Sequence, residues 1–182
     1  MASKNENTGV CWYAMRDLSR RHAKEPTYKL LTAMGFEVFT PMTRKLVIEN
    51  GQRKSKEEPF MQDLLFVHDV RERLTPIVRK IENLQYRYIR GGYCEPMVVP
   101  DADMERFIHA VTVTDAPKYY LPEEITPNMC NRRIRIMGGP LDGYEGFLLT
   151  TRGSKVKRLF IELPGFLSVG VEVNLDYIQL LK

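Results

Sequence analysis

Four glycines crowd one short stretch, RIRIMGGPLDGYEGFLL at residues 133–149, as Gly138, Gly139, Gly143 and Gly146. Backbone this rich in glycine often cradles a phosphate, so a nucleotide site is the first chemistry to test. A P-loop reads GxxxxGK[ST], because the lysine reaches the phosphates and the hydroxyl holds magnesium. Gly138 and Gly143 have that offset, but Tyr144 and Glu145 follow, and a carboxylate there repels a phosphate. A dinucleotide fingerprint fails too, since the segment leads into another strand-like run and opens no helix.

Other chemistry finds no better footing. His22, His68 and His109 are scattered, with no HExxH or GxSxG segment around them, so neither a metalloprotease nor a hydrolase triad is signalled. Cys11, Cys94 and Cys130 are odd in number and form no CxxC pair, which argues against a disulfide framework and a zinc site. The expectation is a non-enzyme with no catalytic residue, no metal and no cofactor.

Net charge is +4 in 182 residues. Residues 1 to 129 hold 19 Lys/Arg against 18 Asp/Glu, and residues 130 to 182 hold 8 against 5. A mildly basic protein of this kind is compatible with nucleic acid without requiring it. The polar start MASKNENTG lacks the apolar stretch of a signal peptide, and no run approaches the ~20 apolar residues of a membrane span. A cytoplasmic protein without a membrane partner is expected.

The elements that must hold any site follow from periodicity. Residues 10–15 are apolar on both faces, as in a buried central strand. Pro26, then Thr27, Leu30, Leu31 and Met34 on one face, and Gly35 as a stop, mark a helix. FEVFTP is a strand, and RKLVIENGQRKSKEEP is a charged hairpin turning at Asn50-Gly51, a pair suited to positive φ at both positions. LLFVHD is another strand. Thr75 is expected to cap, and Pro76 to open, a helix bearing Ile77, Ile81 and Leu84; YRYIRGG is a strand with Tyr86 and Tyr88 on one side. Asp101 caps a third helix with Met104, Phe107, Ile108 and Val111 on its inner face.

That order predicts an α+β chain: an N-terminal α/β sandwich at 10–114 after a flexible 1–9, then a proline-bearing linker at 115–131. Strand-like runs at 133–137, 145–150, 156–163, 167–173 and 177–181 predict a small five-stranded barrel over 132–182. Within it, Gly139, Pro140 and Gly143 turn the chain between the first two strands, and Gly146 lets the second bend.

The segment IRIMGGPLDGYEG resembles the KOW motif of NusG-type transcription factors. WYAMR at 12–16, the hairpin at Asn50-Gly51, EPFMQDLLFVHD at 58–69, YRYIRGG at 86–92 and VVPDADMERF at 98–107 follow in the order of a NusG N-terminal (NGN) domain. The resemblance spans roughly residues 10–181. It is nearest to the specialised paralogues of the UpxY type that accompany polysaccharide gene clusters, and more distant from RfaH. It implies a three-helix mixed-sheet NGN domain followed by an SH3-like KOW barrel.

The resemblance also implies a monomeric antitermination factor that binds the clamp helices of RNA polymerase and raises processivity on specific operons. Its polymerase-binding positions fall on Met61, Leu64, Phe66, Tyr88 and Val98, with Val99 nearby. Leu64 and Phe66 also share a strand face and read equally as core. Met61 departs from the family, since Gln62 follows where a proline is common. Arg16, Arg20, Arg21 and Lys24 match basic residues that contact nontemplate DNA in relatives, and also read as a solvated helix face. Arg53, Lys54 and Lys56 are similarly two-sided, and a contact to the polymerase gate loop would fall near Arg73 and Thr75. In the barrel, Phe147, Leu167 and Val169 are candidates to meet a ribosomal protein or termination factor, or else are core. The basic turn TTRGSKVKR is a candidate contact to nascent RNA. The rival reading is a KOW-containing ribosomal or RNA-binding protein, against which the near-neutral charge of residues 1 to 129 weighs.

Overall fold

The computed structural model describes residues 9–19, 25–149 and 156–181, and divides the chain into two compact units, 1–101 and 102–182.

The first unit runs β1 (Cys11–Asp17), α1 (Thr27–Ala33), β2 (Glu37–Phe39), β3 (Met42–Glu49), β4 (Gln52–Pro59), β5 (Leu65–Asp69), α2 (Arg71–Lys80), β6 (Leu84–Tyr86) and β7 (Val98–Val99). β1 is the central strand expected of a run apolar on both faces. It pairs antiparallel with β5 on one side and with β6 and β7 on the other, while β2 extends the sheet beyond β5. Cys11, Tyr13 and Met15 point into a core closed by Leu31 of α1, Leu74 of α2 and Leu84 of β6. Burying each such leucine contributes about 1.5–3 kcal/mol. Trp12 and Ala14, on the opposite face, are buried as well.

β3 and β4 form a separate two-stranded ribbon joined by Asn50 (φ 51°) and Gly51 (φ 77°), the tight turn that the dipeptide predicts. α2 starts one turn earlier than expected. Val70 precedes it and its N–H donates to Asp69 Oδ1 at 2.7 Å, Pro76 lies inside it, and the Thr75 hydroxyl donates back to the Arg71 carbonyl at 2.8 Å instead of capping. The helix begins directly where the chain leaves β5 at Asp69, ahead of the position that proline's preference for a first turn suggests. The strand expected through Tyr88 ends at Tyr86, and Tyr88 makes only an isolated bridge to Pro96.

α3 (Asp101–Thr112) follows, with Met104, Phe107 and Ala110 buried. The rest of the second unit is strand-rich: β8 (Lys118–Tyr120), β9 (Cys130–Ile136), β10 (Glu145–Leu149), β11 (Arg158–Leu163), β12 (Leu167–Glu172) and β13 (Ile178–Leu180), in the order β13-β9-β10-β11-β12-β8. All five strands expected after residue 132 are present. The sixth, β8, comes from the segment expected to be a linker: Tyr119 and Tyr120 pair with Val169 and Ser168. Ile125, Met129 and Cys130 then pack on Tyr120, Leu149 and Phe160. Proline spacing hid this, because single apolar residues between prolines show no period, yet each finds a place on the sheet.

Candidate functional site

The sheet of the first unit opens beside Ala14. The Ala14 N–H donates to the Met97 carbonyl at 3.0 Å, and its own carbonyl accepts from the Arg87 N–H at 2.9 Å. The chain therefore leaves β1 after β6 and returns at β7, and residues 87–97 make an excursion between the two. Its arms run antiparallel: Met97 N–H donates to the Arg87 carbonyl at 2.7 Å, Tyr88 bridges Pro96, and Ile89 N–H donates to the Glu95 carbonyl at 2.9 Å. The tip turns through Gly91 (φ 83°) and Cys94 (φ 50°).

The base of the excursion is tied down by charge. Arg87 Nη2 donates to Asp63 Oδ2 at 2.9 Å and to the Asp63 carbonyl at 3.2 Å, and Arg16 Nε lies 3.6 Å from the same carboxylate. Burial lowers the pKa of Arg87 and the Asp63 carboxylate opposes that shift; a guanidinium stays charged regardless. Beneath lies Tyr86, whose phenol is pushed up by burial and whose ring sits 6.3 Å from that of Tyr88.

On this support stand four apolar side chains that face solvent. Tyr88 is 49% exposed, Val98 40%, Ile89 42% and Tyr93 98%. Tyr88 and Val98 were expected from the family pattern. Ile89 and Tyr93, which the family pattern does not name, are exposed on the same excursion, and the signal in the sequence is the pair Gly91-Gly92 at its turn. Met61 is half-buried, while Leu64 and Phe66 are 1% and 0% exposed. Of the two readings of Leu64 and Phe66, the buried one describes the structure; the Phe66 ring lies 6.4 Å from that of Phe39.

Arg16 is exposed at the end of β1, whereas Arg20, Arg21 and Lys24 lie outside the described residues. The buried Asp17 joins the described segments on either side: its carboxylate accepts from Ser19 N–H at 2.8 Å and from Thr27 N–H at 3.1 Å. Arg73 and Thr75 are engaged within their own helix and sheet. Arg73 Nη1 donates to Asp69 Oδ2 at 2.7 Å and its guanidinium lies 4.5 Å from the Phe36 ring centre.

In the second unit, the glycine-rich turn spends its donors on itself. Gly138 N–H donates to Asp142 Oδ1 at 2.5 Å, Asp142 N–H to the Gly139 carbonyl at 3.2 Å, and Gly143 N–H to the Ile136 carbonyl at 2.8 Å. Gly138, Gly139 and Gly143 all have positive φ, and Pro140 sits in a short 3-10 turn between them. The Tyr177 ring rests against Gly138 and Gly139, where a Cβ would come within 3.3 Å of it. A turn whose amides are already bonded, one of them to a carboxylate, cannot cradle a phosphate. Gly146 serves close approach: a Cβ there would lie 2.5 Å from the Phe160 carbonyl oxygen. Phe147 is exposed, whereas Leu167 and Val169 are buried. Most of TTRGSKVKR, residues 150–155, lies outside the described residues.

Among the described residues, no group of three His, Cys, Asp or Glu side chains is placed to hold a metal, and no helix is long and apolar enough to cross a membrane.

A family model described as "Transcription termination factor nusG" matches residues 10–108, more than half of the chain. No curated protein matches. A solved structure titled "Domain interaction in Thermotoga maritima NusG" superposes with a TM-score of 0.49 at 17% sequence identity, covering 96% of this chain and 98% of that one. Residues 10–108 hold the central strand, the hairpin and the excursion with its exposed apolar surface, and through them this chain belongs to the NusG family of transcription elongation and termination factors, a non-enzymatic family whose members bind RNA polymerase.

Proposed function

We propose that this chain is an operon-specific antiterminator of the UpxY type, acting in the cytoplasm as a monomer, with polysaccharide biosynthesis genes as its targets. The NGN domain, residues 10–114, docks on the clamp helices of RNA polymerase and so holds the clamp closed. The observation that carries this reading is the exposed apolar surface of Tyr88 and Val98, extended by Ile89 and Tyr93, on an excursion braced by Arg87 and Asp63. Aromatic anchors on a rigid base are what a helix pair needs, because little side-chain entropy is lost on docking. Met61 belongs to the docking surface in this reading, and Leu64 and Phe66 contribute as buried packing of the sheet.

Arg16, with Arg20, Arg21 and Lys24 after it in sequence, contacts the nontemplate DNA strand. The KOW domain recruits a second protein, a ribosomal protein or a termination factor.

The test is retention of core RNA polymerase by the tagged full chain, compared with Tyr88→Glu and Val98→Glu. Both side chains are exposed, so both variants keep the wild-type melt, whereas a charge at Leu64 or Phe66 would confound folding with binding. Retention by the wild type and loss of at least tenfold in each variant is expected, since a desolvated carboxylate in a hot spot costs about 2 kcal/mol or more. Undiminished retention by both folded variants would refute the assignment.

A further inference from the structure

One face of the second unit gathers arginines from separate elements. Arg133 and Arg135 alternate along β9, and opposite them on β10 stand Phe147 and Glu145 in the register Phe147↔Arg133 and Glu145↔Arg135. Arg135 Nε donates to Glu145 Oε1 at 2.8 Å, with Nη2 closer still, and Arg133 Nη2 reaches Oε2 at 3.3 Å. From α3, Arg106 Nη2 donates to the Glu145 carbonyl and its guanidinium lies 5.2 Å from the Tyr144 ring centre. The Tyr144 hydroxyl in turn meets His109 Nδ1 at 2.9 Å and donates to the Arg106 carbonyl at 3.2 Å. Two guanidiniums thus hold the Glu145 carboxylate and a third bonds the main-chain carbonyl of the same residue, leaving a local excess of two positive charges.

Their partner is too small for them, and yet it orders them. The side chains of Arg133 and Arg135 remain 63% and 45% exposed while held by Glu145, so each keeps unused donors that point to solvent in a fixed fork. Successive same-face residues of a strand stand about 7 Å apart, on the scale of neighbouring phosphates in an extended strand. Next to them Phe147 presents 47% of its surface, although Leu149, two residues on, is buried. A bulge in the β9–β10 pairing separates the two, since Leu148 faces Arg132 while Leu149 faces Cys130, and such bulges re-aim side chains. An exposed aromatic beside ordered cations on a strand face is the arrangement that binds unpaired bases by stacking and their phosphates by charge.

We propose that the β9–β10 face, through Arg106, Arg133, Arg135 and Phe147, is a binding site for single-stranded nucleic acid. It does not depend on polymerase docking, which the reading above places on Tyr88 and Val98 of the other unit. The phosphates compete with Glu145 for the arginine forks, and a base stacks on Phe147.

The test is fluorescence anisotropy of labelled oligo(U) and oligo(dT), each of about 12 nucleotides, with the full chain between 50 and 200 mM salt. Such a probe suits the site sizes of sheet-based single-strand binders. The wild type should bind with a log–log salt slope of about −2, from three arginines at about 0.7 each. Arg133→Gln with Arg135→Gln should bring the slope to about −0.7. Phe147→Ala should weaken binding roughly 5- to 100-fold without changing the slope, the signature of a lost stack. Glu145→Gln should bind at least as tightly as wild type, because the carboxylate competes for the same forks. The ratio of the oligo(U) to the oligo(dT) affinity tells whether RNA or a displaced DNA strand is the source. The proposal is overturned if neither oligonucleotide binds at 50 mM salt, if binding survives the arginine and phenylalanine changes, if Glu145→Gln weakens it in a chain of unchanged circular dichroism, or if polyglutamate of equal charge competes as well as oligo(U), which would make the partner an acidic protein.

Discussion

Replacing Gly146 by alanine separates a structural glycine turn from a ligand-binding one. A Cβ at this position would lie 2.5 Å from the Phe160 carbonyl oxygen and 2.9 Å from Leu159 Cδ1. Leu159 can shift a methyl, but Phe160 is held in the ladder opposite Phe147, so β10 and β11 must part or twist. Forcing one methyl into such a contact costs about 1–3 kcal/mol, which corresponds to amide exchange roughly 5- to 150-fold faster in the two strands. Gly143 is the control. Its φ is +77° and nothing lies within 4 Å of a Cβ there, so Gly143→Ala carries only the left-handed backbone penalty of about 1–2 kcal/mol. The assay is hydrogen–deuterium exchange of the full chain, read in peptides covering Glu145–Leu149 and Arg158–Leu163. Gly146→Ala should lose more protection there than Gly143→Ala. Unchanged protection in Gly146→Ala, with a larger loss in Gly143→Ala, would refute the close-approach argument.

Two further outcomes follow from ionisation and exposure. The Glu145 carboxyl is held below the usual range, first by its hydrogen bond from Arg135 and then by the charges of Arg135, Arg133 and Arg106. Its contribution to stability is therefore full above the ordinary glutamate pKa and is lost as pH falls through the folded value; a carboxyl titration by NMR with a midpoint at or above that of an unpaired glutamate would contradict this. Among the thiols, Cys94 is exposed, Cys130 is partly buried and Cys11 is buried, with burial raising the pKa of the latter two. Alkylation followed by mass spectrometry should label Cys94 first and Cys11 last, and early labelling of Cys11 would show that β1 opens more readily than its packing implies.

What was legible in the sequence was what local chemistry determines. Asn50-Gly51 specifies its turn, because both positions take positive φ whatever surrounds them. The two-sided apolar run at β1 could be satisfied only at the centre of a sheet. The helix at Pro76 starts earlier than expected because proline is a weak marker of a start: the helix is under way from Arg71, just after Asp69, whose carboxylate accepts from Val70 N–H and from Arg73 and stands at the positive end of the helix. β8 was illegible for a different reason. Lys118–Tyr120 has three residues, too few for a period, and it is a strand only because β12 offers an unpaired edge.

The candidate surface was half legible on the same principle. Alternation on β5 shows that Leu65 and Phe66 face opposite sides of a sheet; whether either side is wet depends on what the rest of the chain lays over it, and both are buried here. Exposure is written more plainly where the chain leaves the sheet. Between Arg87 and Met97 the excursion is held across its arms by Met97 N–H to Arg87 and Ile89 N–H to Glu95, with Gly92 N–H to Ile89 near its tip, so its side chains gain no burial from a ladder on either flank. Aromatic and aliphatic residues kept in such a place, at Tyr88, Ile89 and Tyr93, give the isolated protein little stability for the apolar surface they expose. A partner that covers them recovers that free energy, and the ion pairs of Asp63 with Arg87 and Arg16 hold the base of the surface in one position before the partner arrives. Cutting that brace with Asp63→Ala should therefore weaken polymerase retention through disorder of the excursion, even though Asp63 is not among the residues of the proposed docking surface.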